Sequence, residues 1–166
     1  MTQVFIDIGS NIKRDENICA CIEKLSSDFS DIIFSKPYES FSEGFEGDDF
    51  INMSAGFSTD MSFQELLNYL KAIEVVQKRT RDTAKFGSRT LDVDILLFGD
   101  EILKPERDVP RAEILKYPFV LFPLAEIASD VIHPELQKTI GELAEQTTLN
   151  RKSIWQATLS CLEVDD

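Results

Sequence analysis

Apolar positions along this chain switch between a period of two and a period near 3.6, and the switches mark out its elements. Val4 to Ile8 reads as a buried strand, ended by the turn cluster Gly9-Ser10-Asn11. From about Asp15 to Ser26, the residues Ile18, Cys21, Ile22 and Leu25 recur at helical spacing. Ile32-Ile33-Phe34 predicts a second strand, Ser40 to Asp49 a long polar loop, and Phe50 to Phe57 a third strand. Ser62-Phe63-Gln64-Glu65 has the form of a capping box, and the helix it starts aligns Phe63, Leu66, Leu67, Leu70 and Ile73. Arg79, Arg81 and Lys85 fall in a stretch without apolar periodicity, Arg79 to Ser88, which predicts a second exposed loop. Leu91 to Phe98 is a fourth strand, closed by Gly99-Asp100. Short elements follow: a turn near Pro110, the apolar run Phe119 to Leu124, and helical patterning from about Gln137 to Glu145.

The order strand, helix, strand, strand, helix, strand predicts an α/β (α+β) fold, a ferredoxin-like βαββαβ core with additional short C-terminal elements. A length of 166 residues suits a single domain spanning 1–166, and 43% apolar residues suffice for its core. No apolar run is long enough to span a bilayer, and Met1 to Ile6 lacks the basic start of a signal peptide. These features predict a cytoplasmic protein without a membrane partner. The cysteines Cys19, Cys21 and Cys161 form no CxxC pair or metal cluster, so no chemistry is assigned to them; Cys21 reads as a small core residue.

A formal net charge of −13 excludes the basic footprint of a nucleic-acid binder, and no RNP-like aromatic strand motif is present. The same charge repels anionic substrates at long range, so these need local cations or bound metal.

Asp92-Val93-Asp94 meets that need. Strand alternation puts Asp92 and Asp94 on one face, and Leu91, Val93, Ile95 and Leu97 on the other. Two like charges on one strand face repel, and a bound divalent cation such as magnesium relieves them. A solvated edge face is the ordinary reading of an isolated DxD. Here Arg89 lies three residues upstream, with Arg79, Arg81 and Lys85 nearby, and metal beside arginine is what phosphoryl transfer requires. Glu74 falls inside the apolar stripe of its helix, where a carboxylate is costly unless it emerges into a cleft or reaches water.

The segment Lys85-Phe86-Gly87-Ser88-Arg89-Thr90-Leu91-Asp92-Val93-Asp94-Ile95-Leu96 resembles the signature of the hydroxymethyl-dihydropterin pyrophosphokinase family. The similarity runs from Gly9-Ser10-Asn11 through Phe50-Ile51-Asn52 to Phe119-Val120-Leu121-Phe122-Pro123-Leu124. The resemblance implies transfer of pyrophosphate from ATP to the hydroxymethyl group of a reduced pterin, with AMP released. It implies two magnesium ions held by Asp92 and Asp94, with Arg79 and Arg89 gripping phosphate from a mobile loop. ATP contacts are implied for Arg79, Arg81, Arg89, Ile95, Arg107 and Arg111. Pterin contacts are implied for Ser40, Phe50, Asn52, Asp92 and Phe119, with Phe50 and Phe119 on opposite sides of the ring. Glu74 matches an active-site carboxylate, and the partners are small molecules taken up by a monomer or weak homo-oligomer.

Three positions depart from that pattern. Arg111, Ala112 and Tyr117 stand where the family has His, an aromatic residue and Arg. Arg111 keeps a cation, Tyr117 keeps a hydroxyl, and Lys116 is a candidate replacement for the missing charge. A weakened pterin- or nucleotide-binding paralogue on the same fold is the alternative these departures raise. His133, before Pro134, reads as structural or exposed.

Overall fold

The computed structural model describes residues 1–41, 49–79 and 91–162, apart from the side chains at 78 and 79. The first half runs β1 (Thr2–Ser10), α1 (Arg14–Asp28), β2 (Ile33–Phe34), β3 (Tyr38–Ser40), β4 (Phe50–Thr59), α2 (Phe63–Arg79) and β5 (Asp92–Phe98). Then come a 3-10 turn (Ala112–Leu115), α3 (Pro118–Ala128), α4 (Ile140–Gln146) and β6 (Ile154–Gln156). The strands form one sheet in the order β5-β1-β4-β3-β6, with β2 also paired to β4. All its pairings are antiparallel, and the connections are those of the predicted ferredoxin-like core.

The predicted second strand is β2, and a short strand that was not predicted, β3, follows it. Pro37 has no N–H to give the ladder, so the pairing breaks around it. Ser35 bridges the break: its backbone N–H donates to the Ser54 carbonyl, and its Oγ accepts from the Ser54 N–H, both at 2.9 Å. Ser40, expected in a loop, ends β3 opposite Phe50. The rest of that expected loop, residues 42–48, and the basic stretch 80–90 lie outside the described residues.

Alternation sorts the sheet into two layers. Val4, Ile6 and Ile8 of β1, with Met53, Ala55 and Phe57 of β4, bury against Ile18 and Leu25 of α1 and Leu66 and Leu70 of α2. Phe5, Leu96 and Leu97 face the other way, onto Val120, Leu121 and Leu124 of α3 and Ile140 and Leu143 of α4. Leu97, expected with Val93 and Ile95, is turned to this side by the bulge that makes Leu96 an extra residue of β5. Those helices were expected only as short elements. Phe119 to Leu124 is apolar on every side, so it shows no helical period, as suits a buried helix.

His133 is buried and structural, its Nδ1 accepting from the backbone N–H groups of Glu135 and Leu136 at 3.2 and 3.3 Å. The cysteines correct the sequence reading: Cys19 on α1 and Cys161 form a disulfide, Cα atoms 5.7 Å apart, while Cys21 is free and buried. Their sequence separation of 142 leaves no spacing motif to signal the bridge. No helix among the described residues is long and apolar enough to cross a membrane.

Candidate active site

β5 is an edge strand, and register decides what its carboxylates meet. On β1, Asp7 stands directly opposite Asp94 and Gly9 opposite Asp92, beyond a bulge at Phe5/Ile6. Asp92 and Asp94 share the α3 side with Asp7, while Val93 and Ile95 are buried in the α1/α2 layer. Glu74, near the end of α2, reaches the strand's open side, where its Oε2 accepts the Val93 N–H at 2.7 Å. Burial and the neighbouring Asp92 hold the Glu74 carboxyl above its ordinary range, although the Val93 bond opposes the shift.

One guanidinium faces this group. Arg111 Nη2 lies 3.6 Å from Asp94 Oδ2 and 3.3 Å from Glu113 Oε1. Its Nε is buried and has no hydrogen-bond partner among the described residues. Arg111 does not neutralise the site. Burial, then the charge of Asp92, push Asp94 up to about 7 in spite of the Arg111 charge. A second cation would relieve that excess. Among the described residues no three His, Cys, Asp or Glu side chains converge on a metal position. Two carboxylates without a closed cage suit magnesium, which keeps waters and completes its shell with substrate phosphates.

These groups line a cavity of about 350 Å³ that holds Glu74, Asp92, Asp94, Ile95, Arg107 and Arg111. Arg107 is exposed, donates to Gln64 Oε1 at 2.8 Å and stands over the Phe63 ring. A second cavity, of about 320 Å³, is lined by Ser40, Phe41, Phe50, Tyr117, Pro118, Phe119 and Ser153. Tyr117 lies flat against Phe119, ring centroids 5.0 Å apart and 14° between planes. Lys116 is exposed. Asn52 follows Phe50 on the same face of β4, nearly buried, and its Nδ2 donates to Asp7 Oδ2 at 3.1 Å. A Cβ on Gly9 would sit 2.6 Å from that Nδ2, so the bare glycine lets the amide cross to Asp7.

The residues expected to handle nucleotide thus separate from those expected to handle a ring. Asp92, Asp94, Ile95, Arg107 and Arg111 share the first cavity with Glu74; Ser40, Phe50 and Phe119 share the second. Asp92, expected at both substrates, lines the first, and Asn52 lines neither. Arg81 and Arg89 lie outside the described residues, as does the Arg79 side chain at the end of α2. The sequence reading missed Asp7 and Glu113. Asp7 had a signal, one carboxylate inside the apolar run Val4 to Ile8 of a buried strand.

An antiparallel sheet of ferredoxin-like connection, with carboxylates on its edge strand and two cavities of opposite character, defines an α/β protein of ferredoxin-like core. Within that class the chain belongs to the 7,8-dihydro-6-hydroxymethylpterin-pyrophosphokinase (HPPK) family, whose family model matches residues 5–129. The 2-amino-4-hydroxy-6-hydroxymethyldihydropteridine pyrophosphokinase of Aquifex aeolicus is 36% identical over 90% of this chain and 94% of its own length. Its namesake from Haemophilus influenzae is 37% identical over 88% and 93%. The solved HPPK-DHPS of Plasmodium falciparum with pteroate shares the fold at a TM-score of 0.66 and 14% identity. That match covers 94% of this chain, which spans under half, 46%, of the Plasmodium chain.

Proposed function

We propose that this chain is a magnesium-dependent pyrophosphokinase of folate biosynthesis. It transfers pyrophosphate from ATP to 6-hydroxymethyl-7,8-dihydropterin, giving AMP and the pterin diphosphate. The observation that carries the reading is the pair of cavities, one charged around Asp92 and Asp94, the other aromatic around Phe50 and Phe119.

Asp92 and Asp94 would hold two magnesium ions, which would supply charge neutralisation for the ATP phosphates. Arg111 directs its guanidinium at a phosphate oxygen, and Arg107 serves the same cavity from its rim. Arg79, Arg81 and Arg89 complete the phosphate grip, and Ile95 gives the nucleotide an apolar contact. Glu74 fixes the edge of β5 through Val93, so the carboxylates keep their places as charge moves. Phe119 and Phe50 sandwich the pterin, with Ser40 and Asn52 for its polar edge. The hydroxymethyl oxygen attacks the β-phosphorus in line, and AMP leaves. We assign residues 1–166 to one cytoplasmic domain, acting as a monomer or weak homo-oligomer on small molecules alone.

Tyr117 stacked on Phe119 favours a second reading, a binding paralogue with impaired turnover, because it occupies a ring face in the aromatic cavity. The carboxylate pair and Glu74 favour the enzyme. Calorimetry with a non-hydrolysable ATP analogue is expected to show binding only when magnesium is present, followed by pterin binding, and ATP with pterin is expected to yield AMP. Binding without magnesium, or absence of AMP, overturns the reading. Gly9→Ala is expected to raise the pterin KM about tenfold, because its Cβ displaces the Asn52 amide, with nucleotide affinity unchanged. Steady-state kinetics with each substrate varied checks this.

A further inference from the structure

Asp7 is a carboxylate at the centre of the sheet that the proposed reaction does not yet use. It is 6% exposed, on a strand flanked by β4 and β5, where an ionisable group is costly without a purpose. Its Oδ2 accepts from Asn52 Nδ2 at 3.1 Å, and its Oδ1 has no hydrogen-bond partner among the described residues. Ser54, opposite Asp7 on β4, turns its hydroxyl to the Ile6 carbonyl at 3.0 Å, and Arg111 pairs with Asp94 and Glu113. Asn52 is 5% exposed, and its own Oδ1 also lacks a partner.

Each unsatisfied atom of this buried pair is an acceptor. An amide left to itself can present either end, since its two ends are close in size and opposite in hydrogen-bonding sense. Burial, then the charge of Asp94, raise the Asp7 carboxyl above its ordinary range, and the bond from Asn52 opposes that rise. The carboxylate form this bond favours takes the N–H₂ end and leaves the amide oxygen for whatever enters.

We infer that Asp7 is a positioning residue for ring selection, fixing the Asn52 amide so that its Oδ1 is the acceptor presented to a heterocycle bearing an N–H donor. This rests on the pyrophosphokinase reading and deepens it. A 2-amino-4-oxo pteridine offers such donors at N3 and the 2-amino group. A 2,4-diaminopteridine has a lone pair at N3, which meets the Asn52 oxygen as acceptor against acceptor. Sites built around a buried hydrogen bond discriminate strongly against the mismatched partner.

The test measures affinity for 6-hydroxymethylpterin and for 2,4-diamino-6-hydroxymethylpteridine, with magnesium and a non-hydrolysable ATP analogue present. Wild type is compared with Asp7→Asn, which is isosteric, and Asp7→Ser, which is smaller. Wild type is expected to prefer the pterin by roughly tenfold or more. Asp7→Asn offers both an N–H and a carbonyl to Asn52, lets that amide turn over, and is expected to cut the preference to within about threefold. Its melting temperature is expected to stay at or above wild type, and its pterin KM to rise more than its kcat falls. Asp7→Ser is expected to lose the preference as well. An unchanged preference in folded Asp7→Asn overturns the inference alone, as does equal weakening of both ligands with a fall in melting temperature. Wild type that binds neither ring, or forms no AMP, overturns the inference together with the reading beneath it.

Discussion

Asp94→Asn is expected to lower kcat/KM by roughly three orders of magnitude, about 4 kcal/mol of transition-state stabilisation, with the fold intact. The fold survives because Asp94 belongs to neither apolar cluster. Stability is expected to move the other way. The folded protein holds Asp94 at about 7, above the ordinary 3.8, so its protonated form favours folding. That contribution is complete below about pH 4 and is lost as pH rises through about 7. Metal-free wild type is therefore expected to lose melting temperature over that window, and Asp94→Asn to lose less. Magnesium is expected to stabilise wild type at pH 8 and to do little for the variant. Thermal melts from pH 4 to 8, with and without magnesium, and steady-state kinetics check both halves. Normal turnover by the variant removes the metal assignment.

Arg111→Ala is expected to weaken binding of the ATP analogue by about 1–3 kcal/mol, the loss of a charge-assisted hydrogen bond. Arg111→His is expected to recover part of that affinity below about pH 6.5 and to lose it as the imidazole gives up its proton. Magnesium binding to the protein alone is expected to strengthen in Arg111→Ala, because the guanidinium near Asp94 competes with a metal. The opposite signs separate a phosphate ligand from a merely structural ion pair. Calorimetry at two pH values measures all three, and an unchanged nucleotide affinity in Arg111→Ala favours the binding paralogue.

The ferredoxin-like core was legible because β1 and β4 alternate cleanly, β5 does so as far as Ile95, and the Ser62 capping box announces α2. The second layer was not. The Phe119 to Leu124 run of α3 is apolar on all sides and carries Pro123, so neither period nor propensity marks it as a helix. The carboxylate pair on β5 could be read from spacing alone, since strand period two fixes which residues share a face. Its counter-ion could not: Arg111 meets Asp94 through a connection of many residues that no local pattern encodes. Asp7 shows the same limit. Its polarity in an apolar strand is visible in the sequence, but the amide that answers it stands 45 residues away across the sheet.

The place of β5 at the margin of the sheet also governs how inactive variants are made. An edge strand reading Val93-Asp94-Ile95-Leu96-Leu97-Phe98, paired on one side only among the described residues, is a template on which a second chain can pair. Glu74 covers the Val93 N–H, the Arg111 N–H covers the Leu96 carbonyl at 2.9 Å, and two negative charges stand at the near end. Neutralising Asp92 and Asp94 together, the obvious way to obtain a dead enzyme, strips that guard and invites self-association through the very strand that carried the chemistry. Single substitutions keep one charge at the edge, so they report on catalysis without also testing solubility.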